Sequence, residues 1–552
     1  MKHKAIRCFG AAGLILLVSI VAFGCGMMPA VMAMSVRPAE PSESSGETLP
    51  EKPVDGGDGE EKPEGDKPEG DEAKVNYNGA KVFTDDATEE GKSYSSNTTL
   101  QNAILVSGGE VTLKNPSVIK SGASTSENSD FYGTNAAILV HNGAVLTING
   151  GTVNTKAQHA NAIFAYGSGA INVIDTEIAT SAANSGALMV AGGGALLAKN
   201  VTATTDGDSS APIRSDRGGG TLTADGGTFT SNGAGSPAIY STADITVKDA
   251  TLTATKSEGV VIEGENSVSL NKVTLTDTNN VLHGNSETYK NIFIYQSMSG
   301  DATEGVGTFS VEDSTLITNN GDDFFVTNTT AVINLTNTII THNSKGALLR
   351  AQKGKWGKTG ENGGHVTLNA SDEEFYGDIV LDNISTLDMS LTDGSYYRGV
   401  LNGENTAKSA TLDLAKQSVF VLEGDSYIES LTNADTENSN IYSNGHTLYV
   451  GGNAVKVNTA TPPEGKVGKT GVVPEDDEEA QATAEAKKDD MTIWLIAGSI
   501  GLGVILFVII AVIIHKKRHK TPPMTGAAVG PPPTPTTPPN IGYPMNHPPM
   551  AQ

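Results

Sequence analysis

The chain has 552 residues and a formal net charge of −26, from 63 Asp and Glu against 37 Lys and Arg. So acidic a chain lacks the basic surface that phosphate backbones require, which excludes nucleic acid as a partner. Both cysteines, Cys8 and Cys25, lie near the N-terminus, so no disulfide framework supports the rest of the chain.

Residues 1–33 read as a secretory signal peptide. Lys2, Lys4 and Arg7 precede an apolar run from Ala11 to Phe23, and Val31-Met32-Ala33 supplies a small-residue cleavage site. Cys25 follows Ala22-Phe23-Gly24, a faint lipoprotein-like box. Residues 34–75 form an acidic Pro/Gly-rich linker, including the run EEKPEGDKPEGDE, whose charge and composition predict an extended, disordered segment. An exported chain without cysteine beyond Cys25 points to a bacterial surface protein, since secreted eukaryotic domains tend to use disulfides.

Residues 76–457 carry the main signal. From Asn102 to Leu368 the sequence repeats with a period of roughly 25 residues, a length that indicates a solenoid whose units bury apolar faces by stacking. A first apolar stretch recurs at Ala103-Ile104, Ala137-Ile138, Ala162-Ile163, Ala187-Leu188, Pro212-Ile213 and Ala238-Ile239. A second recurs as Val111-Thr112-Leu113, Leu146-Thr147-Ile148, Ile171-Asn172-Val173, Leu222-Thr223-Ala224 and Ile245-Thr246-Val247, and the third is Thr-rich. Alternation at period two with Val, Ile and Thr predicts strands. Three strands per unit give an all-β, right-handed parallel β-helix of about 14 coils, which at strand spacing is a rod about 65 Å long.

Between the second and third strands the sequence places Asn115, Asn149, Asp175, Asn200, Asp225, Asp249, Asn271, Asp313, Asn337 and Asn369. Asn and Asp tolerate left-handed backbone, so these residues are predicted to turn the corner and to bond one another in a ladder along the axis. From Asp382 to Gly452 the pattern blurs, as expected of atypical terminal coils and a cap.

Residues 458–490 read as a stalk. Residues 491–514 are an uncharged apolar run long enough to cross a bilayer as a helix. Lys516, Lys517, Arg518 and Lys520 follow it, which places the C-terminus in the cytoplasm. The tail, 515–552, is Pro-rich and predicts polyproline II that a cytoplasmic module could bind. The expected layout is a single-pass membrane protein of a Gram-positive-type cell, with its bulk outside.

The coil pattern resembles the right-handed parallel β-helix superfamily of pectate lyases and polygalacturonases. The segments YNGAKVFTDDATEEGKSY from Tyr77, DFYGTNAA from Asp130, IRSDRGGG from Ile213, GSPAIYSTADIT from Gly235 and IYQSMSGDATEG from Ile294 resemble more closely the adhesin-like, carbohydrate-binding surface proteins of anaerobic Firmicutes. That resemblance implies the same fold and display for glycan or host-surface binding. A polygalacturonase-like hydrolase needs a trio of aspartates. Gly321-Asp322-Asp323 and His283-Gly284 occur in the reverse of the family's order, without its other motifs.

The expected function is therefore adhesion or binding of an extracellular glycan or surface protein, with no catalytic residue, cofactor or metal assigned; a lyase or hydrolase on the same fold is the alternative. Arginine is scarce, so Arg214, Arg217 and Arg350 stand out as ligand-binding candidates, with Asp216 as a pairing partner for the first two. Arg214 and Arg350 end first strands several coils apart and cannot share one reacting bond. Trp356, in the loop Lys353 to Gly364, is either a sugar-stacking platform or a lid over the last regular coils. Two further insertions, Gly122 to Thr134 and His283 to Asn291, carry Tyr132 and Tyr289, and such insertions often build a binding face. Outward Thr202, Thr204, Thr228, Thr230, Thr251 and Thr253 offer arrays for weak multivalent contact. The histidines are dispersed, with no metal-ligand spacing.

Overall fold

The computed structural model describes residues 75–465 except Asn285. The signal peptide, the acidic linker up to residue 74, the stalk beyond residue 465, the apolar run 491–514 and the Pro-rich tail lie outside the described residues. Among the described residues no helix is long and apolar enough to cross a membrane.

Residues 79–454 form a parallel β-solenoid of about 15 turns. First strands pair into a twelve-stranded parallel sheet running from Gly79–Phe83 to Ile379–Leu381. Second and third strands, such as Val145–Asn149 and Thr152–Thr155, stack in register on those of the next coil. In three consecutive coils the two merge across the corner into single strands, Gly194–Thr205, Gly220–Ser231 and Asp244–Ala254.

The solenoid starts one coil before the repeat becomes legible at Asn102. Residues 79–96 pair with 102–120, but their strands carry Lys81, Glu89, Glu90 and three serines. Across this open end Lys81 Nζ lies 2.8 Å from Glu89, and Tyr94 Oη donates to the same carboxylate at 2.7 Å. At the other end the last pairing, Tyr449 with Ala454, is antiparallel. Asn458 bridges to Tyr442, and Tyr396 Oη donates to the Pro463 carbonyl, so the described start of the expected stalk lies against the rod.

Alternation decides which side chains enter the core. In Val145–Asn149 only Leu146 and Ile148 are buried, and in-register pairing stacks Leu146 on Ile171, Leu196, Leu222, Ile245, Val268, Phe309 and Ile333. Each buried methylene in such a column contributes about 0.8 kcal/mol.

The corner after the second strand is a column of left-handed residues, offset from the expected one in several coils. Asn115, Asp175, Asn200, Asp249, Asp313 and Asn337 have φ between 47° and 52°. In three other coils the left-handed residue is Gly150, Gly226 or Lys272, one position after Asn149, Asp225 and Asn271, and in a fourth it is Asp372 rather than Asn369. The reason is steric as well as conformational. A Cβ at Gly150 would stand 2.3 Å from Asn115 Oδ1, and one at Gly226 2.5 Å from Asn200 Oδ1. The axial ladder is accordingly intermittent: Asn200 donates to Asp175 at 3.2 Å and Asn337 to Asp313 at 2.7 Å, while Asn271 reaches Glu312 at 2.9 Å.

At the end of the third strand a second inward column runs Thr155, Thr180, Thr205, Ser231, Ala254, Asp277, Thr318 and His342. Asp277 is fully buried, with no side-chain donor to its carboxylate and only the Asn279 backbone amide near it. Burial, with the nearby Glu258 carboxylate, pushes it up to about 9. The adjoining coils hold their buried charges in pairs, Lys290 with Glu258 at 3.1 Å and His342 with Asp323 at 2.8 Å.

Two outcomes are expected. The folded chain keeps a proton on Asp277 that the unfolded chain releases above its ordinary 3.8, so this residue lowers stability progressively from about pH 4 to about pH 9. Asp277→Asn should therefore be more stable than the parent by about 1–3 kcal/mol at pH 8, with the gap closing toward pH 4, in denaturant titrations. Lys272→Gly should gain about 1 kcal/mol by relieving left-handed strain, read as a higher Tm.

Candidate functional site

The outer face of the twelve-stranded sheet carries one register column that is apolar except where it breaks. It runs Leu105, Leu139, Phe164, Met189, Arg214, Tyr240, Val261, Phe293, Phe325, Arg350. Leu105, Leu139, Phe164 and Met189 form one buried cluster with Tyr166 packed against it. The insertion at 122–134 lies on that cluster: a Cβ at Gly133 would meet Leu139 and Phe164. Val261, Phe293, Tyr295 and Phe325 form a second cluster, against which Trp356 and Tyr240 pack. Between the two clusters, Arg214 and Tyr240 open onto a cavity of about 450 Å³.

Three parts of the chain converge on this groove. The 122–134 insertion, with a short helix at Asn128–Tyr132, contributes Glu127, Asp130 and Phe131. A corner column, His159, Asn184, Ser209 and Gly235, forms one edge, with φ of 52°, 54°, 53° and 60°. The segments after the Thr274–Asp277 and Lys290–Tyr295 strands bring His283 and Asp301. Gly235 is needed for that closure, since a Cβ there would stand 2.3 Å from the His283 imidazole.

The polar groups are tightly paired. Arg214 donates to Asp216 at 3.1 Å and to the Ser209 carbonyl at 3.2 Å. The Arg217 amide donates to Asp216 at 2.8 Å, its Nε donates to Asp301, and its guanidinium stacks 3.8 Å above the Phe131 ring. His159 Nδ1 lies 2.6 Å from Asp130 Oδ2, and its Nε2 lies 3.4 Å from the Asn184 amide. Burial raises Asp130 above the usual carboxylate range, against the pull of Arg214 and His159. Burial likewise raises Asp216 to about 6, partly offset by Arg214. Beside the groove Tyr240 and Tyr295 both donate to Glu263, at 2.6 and 3.0 Å. Burial holds both phenols well above their ordinary value.

The structure thus joins Arg214 and Arg217 in one groove and places the other expected residues elsewhere. Arg350 lies five strands along the column from Arg214, roughly 24 Å at strand spacing, and grips Asp322 at 2.7 and 3.2 Å. Trp356 packs over Phe293 and Tyr295 at centroid distances of 5.5 and 5.1 Å and stays half-exposed, outside the groove lining. Tyr132 meets Tyr166 edge-on at 5.6 Å, outside the groove lining. Tyr289 leads into the Lys290–Tyr295 strand beneath Gly321, also outside it. Asp323 is committed to His342, far in register from His283 on Gly235.

Sequence reasoning missed Asp130, His159 and Asp301. One signal was present: His159, Asn184, Ser209 and Gly235 each stand four residues before the first-strand residues Ile163, Leu188, Ile213 and Ile239. That fixed offset marks a second left-handed corner. Nothing in the spacing reveals that Asp301 reaches back to Arg217.

Among the described residues no cluster of three or more His, Cys, Asp or Glu is arranged to hold a metal ion. No family model matches the chain, and no match emerges among curated proteins or solved structures.

Removing the Arg214 guanidinium strips Asp216 and Asp130 of a neighbouring cation. In Arg214→Met, Asp216 should titrate above its parent value of about 6, visible in a carboxyl-carbon NMR titration.

Proposed function

We propose that this chain is an adhesin-like surface protein that displays the solenoid to bind carbohydrate in the Arg214–Arg217 groove. The observation that carries this reading is convergence: Arg217 is joined to Phe131 on one insertion and to Asp301 on another, 84 residues further along the chain. The excursions at 122–134 and 297–305 thus meet through one guanidinium beside an open cavity. Guanidinium, carboxylate and carboxamide groups of this kind match pairs of sugar hydroxyls, and Tyr240 and Phe131 supply ring surface. The signal peptide, the apolar run at 491–514 and the flanking linkers support display at a cell surface. Thr202, Thr228, Thr251 and Thr274, aligned in register and exposed, offer a second, weaker array on the third-strand face.

A polysaccharide lyase or hydrolase is the second reading. The observation on its side is the Asp130–His159 pair in the groove lining, a carboxylate holding Nδ1 of an imidazole whose Nε2 has only a long contact of 3.4 Å to Asn184. Against it, both arginines are occupied by carboxylates rather than free to neutralise a substrate anion.

The test uses the full-length chain on a glycan array, with product masses followed in parallel. Binding without shortened products is expected, with Arg217→Ala weakening it by roughly tenfold or more and Trp356→Ala leaving it unchanged. Shortened oligosaccharides would replace binding by catalysis as the function.

A further inference from the structure

The charge of the groove says which carbohydrate it takes. Its lining holds four carboxylates, Glu127, Asp130, Asp216 and Asp301, against the two guanidiniums of Arg214 and Arg217. Acidic groups thus outnumber guanidiniums by two in the lining, within a chain of net charge −26. A concave site lined by one sign of charge concentrates ligands of the other sign.

Each guanidinium is hydrogen-bonded to another acid, Arg214 to Asp216 and Arg217 to Asp301, so Arg214 acts on Asp130 through its field alone. Two acceptors remain. Asp130 is 6% exposed, gives one oxygen to His159, and keeps Oδ1 without a hydrogen-bond partner. Such an orphaned buried acceptor is destabilising, and a donor from a ligand would relieve it. Three residues earlier, Glu127 stands exposed at the start of the short helix and makes no capping hydrogen bond with its side chain.

A uronate or sulfated polymer brings further negative charge into this field. A compact ammonium has three donors and no acceptor, and answers both features. The hydroxyls next to it would meet Asn184, the outer nitrogens of Arg217 and Asp301.

We infer that the groove binds a glycan bearing free primary amines, a glucosamine-type residue, with its ammonium directed to Asp130 and Glu127. This deepens the carbohydrate-binding reading and rests on it.

Isothermal titration calorimetry on the full-length chain in detergent tests it with four probes. These are the β-1,4-glucosamine hexamer, its fully N-acetylated counterpart, a galacturonate hexamer and hexalysine. The glucosamine hexamer should bind roughly tenfold or more tightly than the acetylated one, since acetylation removes the charge. Its affinity should fall as salt is raised. Glu127→Gln should weaken it by roughly threefold, as expected of an exposed carboxylate; no fold contact is lost, so an unchanged thermal transition separates the effect from misfolding. Equal binding of the acetylated hexamer, or tighter binding of galacturonate, overturns the amine assignment while keeping a carbohydrate site. Hexalysine binding as tightly as glucosamine overturns it in favour of unspecific charge attraction. No binding by any sugar overturns both the amine assignment and the carbohydrate reading.

Discussion

Everything in this molecule follows from parallel strands stacked in register. Once Ile163 pairs with Leu188 and Leu188 with Ile213, every later side chain of those coils has its height and direction assigned. A slip of one residue would turn the inward Leu and Ile columns to solvent. The same constraint explains where irregularity is permitted. Extra residues can leave only at corners, where the ladder is already interrupted, and the long excursions at 122–134, 279–289 and 297–305 all do so.

The groove is a by-product of that rule put to use. The outward column of the first sheet is apolar on either side of Arg214 and Tyr240, and each apolar stretch is roofed by an insertion or by Trp356. The roofs leave a gap where the column turns polar. Arg217 then ties the two sides, so the site is assembled from segments whose only common feature is their height along the rod.

The fold was legible because its cause is local and repeated. Alternation named the strands, and the period named the coils. The corners were half legible: Asn115 and Asp175 stand at the left-handed position, whereas Asn149 and Asp225 precede a glycine that takes it. An Asn-Gly or Asp-Gly pair leaves two positions open to the corner, and only the height of the neighbouring coil chooses between them. The first coil was illegible because its ends face solvent, so Lys81 and Glu89 replace the apolar pattern. Of the site, Arg214 and Arg217 were visible through their scarcity. Their partners were not, because the Arg217–Asp301 contact joins residues that no period relates. Trp356 attracted attention as the lone tryptophan of the repeat region, yet aromatic surface on a solenoid is as readily spent covering Phe293 as meeting a ligand.

The two ends of the rod have a consequence for solubility. An uncapped parallel ladder is a template on which another chain can add coil after coil, the geometry from which fibrils grow. Here one terminus presents a lysine, a glutamate and a tyrosine knotted together across the opening, and the other reverses strand direction between Tyr449 and Ala454. Inward-pointing charge and a reversed strand are both devices by which sheet edges discourage a further strand, so the stacking rule that builds the rod is opposed at both of its described ends.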